Sequence, residues 1–169
     1  MTALAVADTI ARHGKSQVQV KWPNDILIGG KKTSGILTEL TAERGRIDHL
    51  IVGIGKNVNH GVAHFPEDLR GTATSVRRAL RRKVNRVALL RDLLARFEAE
   101  YLEYQKHGLK NSRKRLRKYS SLLGKSIQLA SGTSIISGQA IDIDADGRLI
   151  VESAEGRHQI VAGEVTVVK

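Results

Sequence analysis

Apolar residues recur every three or four positions in TALAVADTIARHG (2–14): Ala3, Leu4, Val6, Ala7 and Ile10 fall on one side of a helix, and Gly14 offers a stop. The pattern then changes to a period of two. SQVQVKW (16–22) alternates as a half-buried strand, DILIGGKKTSGILTEL (25–40) reads as a hairpin turning at Gly29-Gly30, and RIDHLIVGIGKNVN (46–59) reads as another strand. Together they predict a mainly antiparallel sheet with helices against it.

Helical spacing then returns. A short helix is predicted from Ala73 to Leu80, and a long one from Arg86 to His107, capped by Asn85 and ended by Gly108. Leu89, Leu90, Leu93, Leu94, Phe97, Tyr101 and Tyr104 form its expected buried stripe. A basic helix follows at 111–121. Beyond Leu123-Gly124 the segments KSIQLA, TSIISGQAIDI, GRLIVES, RHQIVA and EVTVV are short, β-rich and separated by Ser-Gly, Asp-Gly and Glu-Gly turns, which predicts a small barrel. A module of that size is marginal alone and should lean on the preceding helices. The expected division is 1–122 and 123–169.

With 169 residues, 41% of them apolar, the chain can bury a core of one domain, or of one domain with a small appendix. No apolar run reaches the ~18 residues of a membrane span. The first residues turn polar where a secretory leader would stay apolar, so a soluble, cytoplasmic protein is expected. The sequence has no cysteine, which removes disulfides and thiolate metal sites. Its six histidines show no zinc-type spacing, and no structural metal is expected.

Charge adds a second theme. Lys and Arg number 28 against 17 Asp and Glu, a net +11, concentrated in RRALRRKVNR (77–86) and KNSRKRLRK (110–118). Such runs suit an anionic partner: nucleic acid, an acidic protein or a phosphate-bearing substrate. They also suit ordinary solvated helix faces. Aromatic residues are 4% of the chain and none interleaves with the basic runs as a stacking platform would, so nucleic-acid binding is the less favoured reading.

The stretch KWPNDILIGGKKTSGIL (21–37) carries more polar groups than a plain hairpin needs. Across a two-residue turn, residues 25 and 34 or 26 and 33 should pair, leaving Asp25 and Lys32 as near neighbours. They form either a surface ion pair worth about 0–1 kcal/mol or part of an anion site. Gly35, Gly53 and Gly55 sit inside strands, where glycine weakens the sheet unless a bulge, a ligand or another element comes close. Asn57 and Asn59 follow, with amides able to read a purine edge or a carboxamide.

KWPNDI (21–26), KKTSGIL (31–37) and GIGKNVNH (53–60), in this order and spacing, resemble the signature blocks of biotin-protein ligases. The resemblance implies an α+β fold: part of a class II aminoacyl-tRNA-synthetase-like catalytic domain, a mainly antiparallel sheet with helices, plus a C-terminal SH3-like β-barrel. It implies a two-step reaction in which biotin and ATP give biotinyl-5′-AMP and a lysine of a biotin carrier domain then takes the biotinyl group. By resemblance Lys32 meets the biotin carboxyl and the adenylate, Asp25 serves the transfer step, and Gly35 lets backbone lie against biotin. Asn57 lies near adenine, and Trp22 and Asn24 belong to the same substrate site. Mg²⁺ is implied alongside ATP.

Two departures stand out. Lys56 occupies a position that is usually apolar in the family, and the family's Gly-Arg-Gly-Arg-x-Gly-Arg loop has no counterpart, RGRID (44–48) being too short and misplaced. Weak or absent activity of this chain alone is therefore expected, with exposed apolar surface and strand edges that favour self-association into a homodimer. No helix-turn-helix is evident, so DNA binding is not expected. A non-catalytic module that binds a carrier protein, and a lipoate ligase, are the alternatives.

Overall fold

A computed structural model describes residues 1–43, 46–131 and 134–168. Arg44 and Gly45 of the RGRID stretch, Thr133 at the start of one predicted strand, and Lys169 lie outside the described residues.

Helix α1 (Thr2–His13) is followed by β1 (Val18–Lys21), β2 (Asp25–Ile28), β3 (Lys31–Glu43) and β4 (Arg46–Lys56). These strands form one antiparallel sheet in sequence order. The turn between β2 and β3 is Gly29-Gly30, with φ of 56° and 75°. Two successive left-handed residues match the twist of a tight hairpin, and glycine adopts them without steric cost. Alternation buries Val18 and Val20 of β1 and Ile26 and Ile28 of β2 under α1, whose Ala5, Val6, Ala7 and Ile10 are fully buried.

The connection from β4 passes through two short 3₁₀ turns to α2 (Val76–Leu80), α3 (Arg86–His107) and α4 (Arg113–Tyr119). The helix predicted from Ala73 begins three residues later, because Thr72–Thr74 lie beside Lys32 instead. Asn85 caps α3 as expected: its Oδ1 accepts the N–H groups of Val87 at 3.0 Å and Ala88 at 3.1 Å. Gly108 ends it, donating its N–H to the Tyr104 carbonyl at 2.8 Å.

The predicted stripe of α3 is only half right. Leu89 and Leu93 are buried, whereas Leu90 and Leu94 are 55% and 59% exposed, and Tyr101 and Tyr104 are exposed too. The helix meets α1 along one edge, and that edge contains Glu100. The carboxylate is tolerated there because Arg115 pairs with it and the Ser112 hydroxyl donates to it.

Strands β5 (Ser126–Ser131), β6 (Ser134–Ile143), β7 (Leu149–Ser153), β8 (Gly156–Ile160) and β9 (Glu164–Val167) form a second antiparallel sheet, ordered β8-β7-β6-β5-β9. Sequence reasoning expected a barrel. Among the described residues no ladder joins β8 to β9, so the sheet does not close on itself. Its core of Ile127, Leu129, Leu149, Val151 and Val165 is completed by Leu4, Trp22 and Leu116 from the first part of the chain. A small sheet that borrows apolar side chains from its neighbours can be buried without closure.

The second basic run turns out to be a clamp. Arg113 lies 2.7 Å from Asp142, Arg117 pairs with the same carboxylate, and Arg115 reaches Asp8 at 2.8 Å as well as Glu100. The Arg117 hydrogen bond, ahead of the other contacts, holds the Asp142 carboxyl below its usual range.

Candidate functional site

The alternation that buries Ile26 and Ile28 sends Asp25 and Leu27 to the opposite face of the sheet, where they line an open cleft with Lys21 and Lys32. The pairing differs from the expected one by a single residue. Ile28 faces Lys31 and Leu27 faces Lys32, but a bulge at Thr33 then sets Ile26 opposite Ser34 and Asp25 opposite Gly35. The bulge exists because the backbone around it is claimed by other segments. Lys32 donates its N–H to the Thr72 carbonyl and accepts from the N–H of Thr74, both at 2.8 Å, while the Thr33 carbonyl accepts from Asn57 at 2.8 Å. A bulge re-aims side chains, and here it brings the β3 lysine to the β2 carboxylate.

Lys32 Nζ lies 2.7 Å from Asp25 Oδ1; the side chains are 52% and 21% exposed. The pair rests over Gly35. A Cβ at that position would lie 3.4 Å from Lys32 Cε and 3.6 Å from Asp25 Oδ1, in ordinary van der Waals contact with the pair, so glycine keeps the backbone there uncovered. Gly55 faces Gly35 across the ladder and Gly53 faces Leu37, giving a floor with little side-chain cover. The cleft, about 800 Å³, lies in the range of small-molecule sites. Asp25 is the only carboxylate among the described residues that line it.

Asn57 lines the same cleft, its backbone fixed by Thr33 on one side and Val76 on the other. Asn59 does not share this role: its amide donates to the Val84 carbonyl at 2.9 Å and accepts from the Val84 N–H at 3.0 Å, so both functions are spent on the chain itself. Trp22 and Asn24 are likewise placed elsewhere. Trp22 is buried in the core of the second sheet, with Nε1 donating to the Gly147 carbonyl at 3.0 Å. Asn24 donates to the Ile36 carbonyl at 2.8 Å, and both residues border a separate cleft beside α1.

Sequence reasoning missed three aromatic wall residues. His60 meets His64 edge-on at 6.0 Å and Phe65 at the same distance, and all three border the cleft. His60 closes the GIGKNVNH block and His64 and Phe65 follow within five residues, which was the available signal. Lys56, next to Asn57, points to the other face in the line Val52, Ile54, Lys56. Its Nζ is buried without a hydrogen-bond partner among the described residues, and burial lowers its pKa to about 8.

Residues 1–57 match the model of the biotin/lipoate A/B protein ligase family, and residues 122–168 match that of the biotin protein ligase C-terminal domain. The chain belongs to the biotin protein ligase family. The first match spans Asp25, Lys32, Gly35 and Asn57, and the second spans the five-stranded sheet, so both sheets carry the family pattern. The bifunctional ligase/repressor BirA of Bacillus subtilis is 36% identical over 165 residues, covering 98% of this chain and 51% of that protein. The biotin–[acetyl-CoA-carboxylase] ligase of Paracoccus denitrificans is 29% identical, covering 98% of this chain and 70% of that one. The biotin protein ligase from Aquifex aeolicus in complex with biotin and ATP superposes with a TM-score of 0.87 at 27% identity, covering 99% of this chain and 69% of that chain. The chain spans about half the length of BirA-type biotin protein ligases.

No group of three or more His, Asp or Glu side chains that could hold a metal ion occurs among the described residues. None of the described helices is long and apolar enough to cross a membrane.

Proposed function

We propose that the cleft over Gly35 binds biotin and ATP and serves the two-step chemistry of a biotin-protein ligase. The observation that carries this reading is the Lys32 ammonium held 2.7 Å from Asp25 over a glycine floor, with Asn57 on the same cleft. When biotin attacks the α-phosphate of ATP, negative charge gathers on the carboxyl and phosphoryl oxygens, and a fixed ammonium stabilises it. In this reading Lys32 leaves Asp25 for that anion. Asp25 is then free to orient, or accept a proton from, the carrier lysine that attacks the mixed anhydride. Pyrophosphate leaves in the first step and AMP in the second. Asn57 is assigned to the adenine edge. Trp22 and Asn24 act through position: they set the strand that bears Asp25.

Asp25, already paired with Lys32, is poorly suited to hold Mg²⁺ unaided; the ion would enter with ATP and would offset the charge of the leaving pyrophosphate. The acceptor we assign is a carrier domain of a biotin-dependent carboxylase, which places the reaction in the cytoplasm. Residues 123–169 are proposed to act as one unit that supports the cleft. Lys32 is half exposed, and an ammonium in contact with water stabilises charge less well than one in a closed site, so activity of this chain alone should be low. The same exposure favours a second reading, a carrier-binding module without catalysis.

The test is to incubate the chain with ATP, Mg²⁺, biotin and a carrier domain, following pyrophosphate release and carrier mass. Slow pyrophosphate release with biotinylation supports the ligase. Carrier binding without either product supports the module. Incorporation of lipoate in preference to biotin would overturn both.

A further inference from the structure

The corner that joins β1 to β2 is Trp22-Pro23-Asn24, and the ladder closes it with Lys21 directly opposite Asp25. Anchors from elsewhere in the chain hold that corner. Trp22 Nε1 donates to the Gly147 carbonyl at 3.0 Å, the Asn24 amide donates to the Ile36 carbonyl at 2.8 Å, and the Val20 carbonyl accepts the Ser121 N–H at 2.9 Å. The register between Lys21 and Asp25 is therefore fixed. Residues facing each other across an antiparallel ladder project from the same side of the sheet, with Cβ atoms about 4.5–5.5 Å apart. Val20 is buried under α1, so its neighbour Lys21 points with Asp25 into the cleft over Gly35. Asp25 is nevertheless paired with Lys32 from β3, and Lys21 has no carboxylate of its own among the described residues that line the cleft. One carboxylate thus stands between two lysines and is engaged by one of them. The other titratable groups on the cleft, His60 and His64, come from the segment after β4, two strands away from β2.

We propose that Lys21 is a positioning residue of the transfer step: when Lys32 turns to the acyl phosphate, the Lys21 ammonium takes up the Asp25 carboxylate from the neighbouring strand. The role rests on the ligase function proposed above. Without such a replacement Asp25 would face the adenylate with its charge unpaired, and like charges so close repel. A lysine suits the exchange, because its flexible four-carbon stem carries a compact charge that can be aimed from one strand to the next. A carboxylate offers two oxygens, so one can rest on Lys21 while the other faces the carrier amine. In transfer that amine forms a C–N bond to the biotinyl carbonyl carbon. The bond from this carbon to the phosphate oxygen breaks, its electron pair leaving on AMP, and one proton of the amine passes to Asp25. Lys21 touches none of the reacting atoms; it holds the group that receives the proton.

The experiment measures, in the full chain, transfer from preformed biotinyl-5′-AMP to a carrier domain above the rate without the chain, by carrier mass, and affinity for a stable biotinyl-adenylate analogue, by calorimetry. Lys21→Met, a change at a partly exposed position that should fold, should slow transfer about tenfold, the scale of one hydrogen bond to a charged group. It should weaken analogue binding far less than Lys32→Ala does. Lys21→Arg should recover most of the rate. In the Asp25→Asn background Lys21→Met should add less than about a twofold loss, because the two residues act as one unit; a merely structural lysine would slow both backgrounds equally. An undiminished transfer rate in Lys21→Met, additive losses in the double variant, or an analogue affinity that falls as far as in Lys32→Ala would each overturn the proposal, the last by putting Lys21 on the anion itself. Failure of the ligase reading would show differently, as neither transfer nor analogue binding in the parent chain, and would overturn both.

Discussion

Lys32 and Lys56 lie on adjacent strands of one sheet and face opposite ways. Lys32 is half exposed, has a carboxylate at 2.7 Å, and borders a polar cleft; the ammonium of Lys56 is buried, has no acceptor among the described residues, and lies beside Ile54, Val58, Leu89 and Leu93. The two side chains are chemically the same, so their difference is entirely one of surroundings. An ammonium with a mobile partner can be lent to a substrate, whereas one with no partner destabilises the fold until something neutralises it.

The contrast can be broken or sharpened by substitution. The largest effect should come from Lys32→Ala, which removes the cation assigned to the developing anion: binding of a stable biotinyl-adenylate analogue should fall about a hundredfold, on the scale of single oxyanion-stabilising donors. Titration calorimetry checks it, and undiminished affinity would remove Lys32 from the site. Lys56→Met should do the reverse and stabilise the protein. Because the folded pKa of about 8 lies below the ordinary 10.5, the unfolded chain binds the additional proton between those values. Stability should therefore climb as pH rises from 8 to 10.5, with the full penalty present below 8. A gap of that width corresponds to about 3 kcal/mol. Denaturant unfolding at pH 7 should show a gain of that order in Lys56→Met, and a scan from pH 7 to 10.5 should show the climb in the parent only.

Asp25→Asn should act on transfer more than on activation, lowering the rate from preformed adenylate to carrier by about a hundredfold, the low end for a positioned acid–base group. Equal rates would assign Asp25 to holding Lys32 alone. The smallest effect concerns stability at the cleft. An exposed ion pair contributes about 0–1 kcal/mol, so Lys32→Ala should shift the unfolding midpoint scarcely at all. A large shift would mean that the pair is structural and would weaken the functional contrast with Lys56.

Elements governed by local chemistry were legible in the sequence. The Gly29-Gly30 turn, the Asn85 cap and the Gly108 stop each depend on a few adjacent residues, and each lies where the pattern put it. What depends on distant partners was not. The bulge at Thr33 requires Thr72–Thr74 and Asn57 to claim the hairpin backbone, and nothing within residues 25–35 announces them. The exposed half of α3 has the same spacing as a buried stripe, because periodicity records which residues are apolar and not whether a neighbour arrives. Trp22 looked like a substrate contact by motif, yet its indole is committed to the second sheet. Likewise 110–118 read as a basic patch until Asp8, Glu100 and Asp142 met its arginines. Among the described residues β4 has a neighbouring strand on one side only, its Leu50 and Ile51 are exposed, and whether two copies meet there is a question for sedimentation.

The indole of Trp22 gives the small sheet leverage over chemistry it never touches. Only Pro23 and Asn24 separate that ring from the carboxylate at the head of β2, and the ring is moored to a carbonyl in the turn before β7. Repacking or shifting that distant turn would tug on the hairpin like a rope on a tiller. Variation in the final quarter of the chain should thus appear as altered turnover well before it appears as a broken fold.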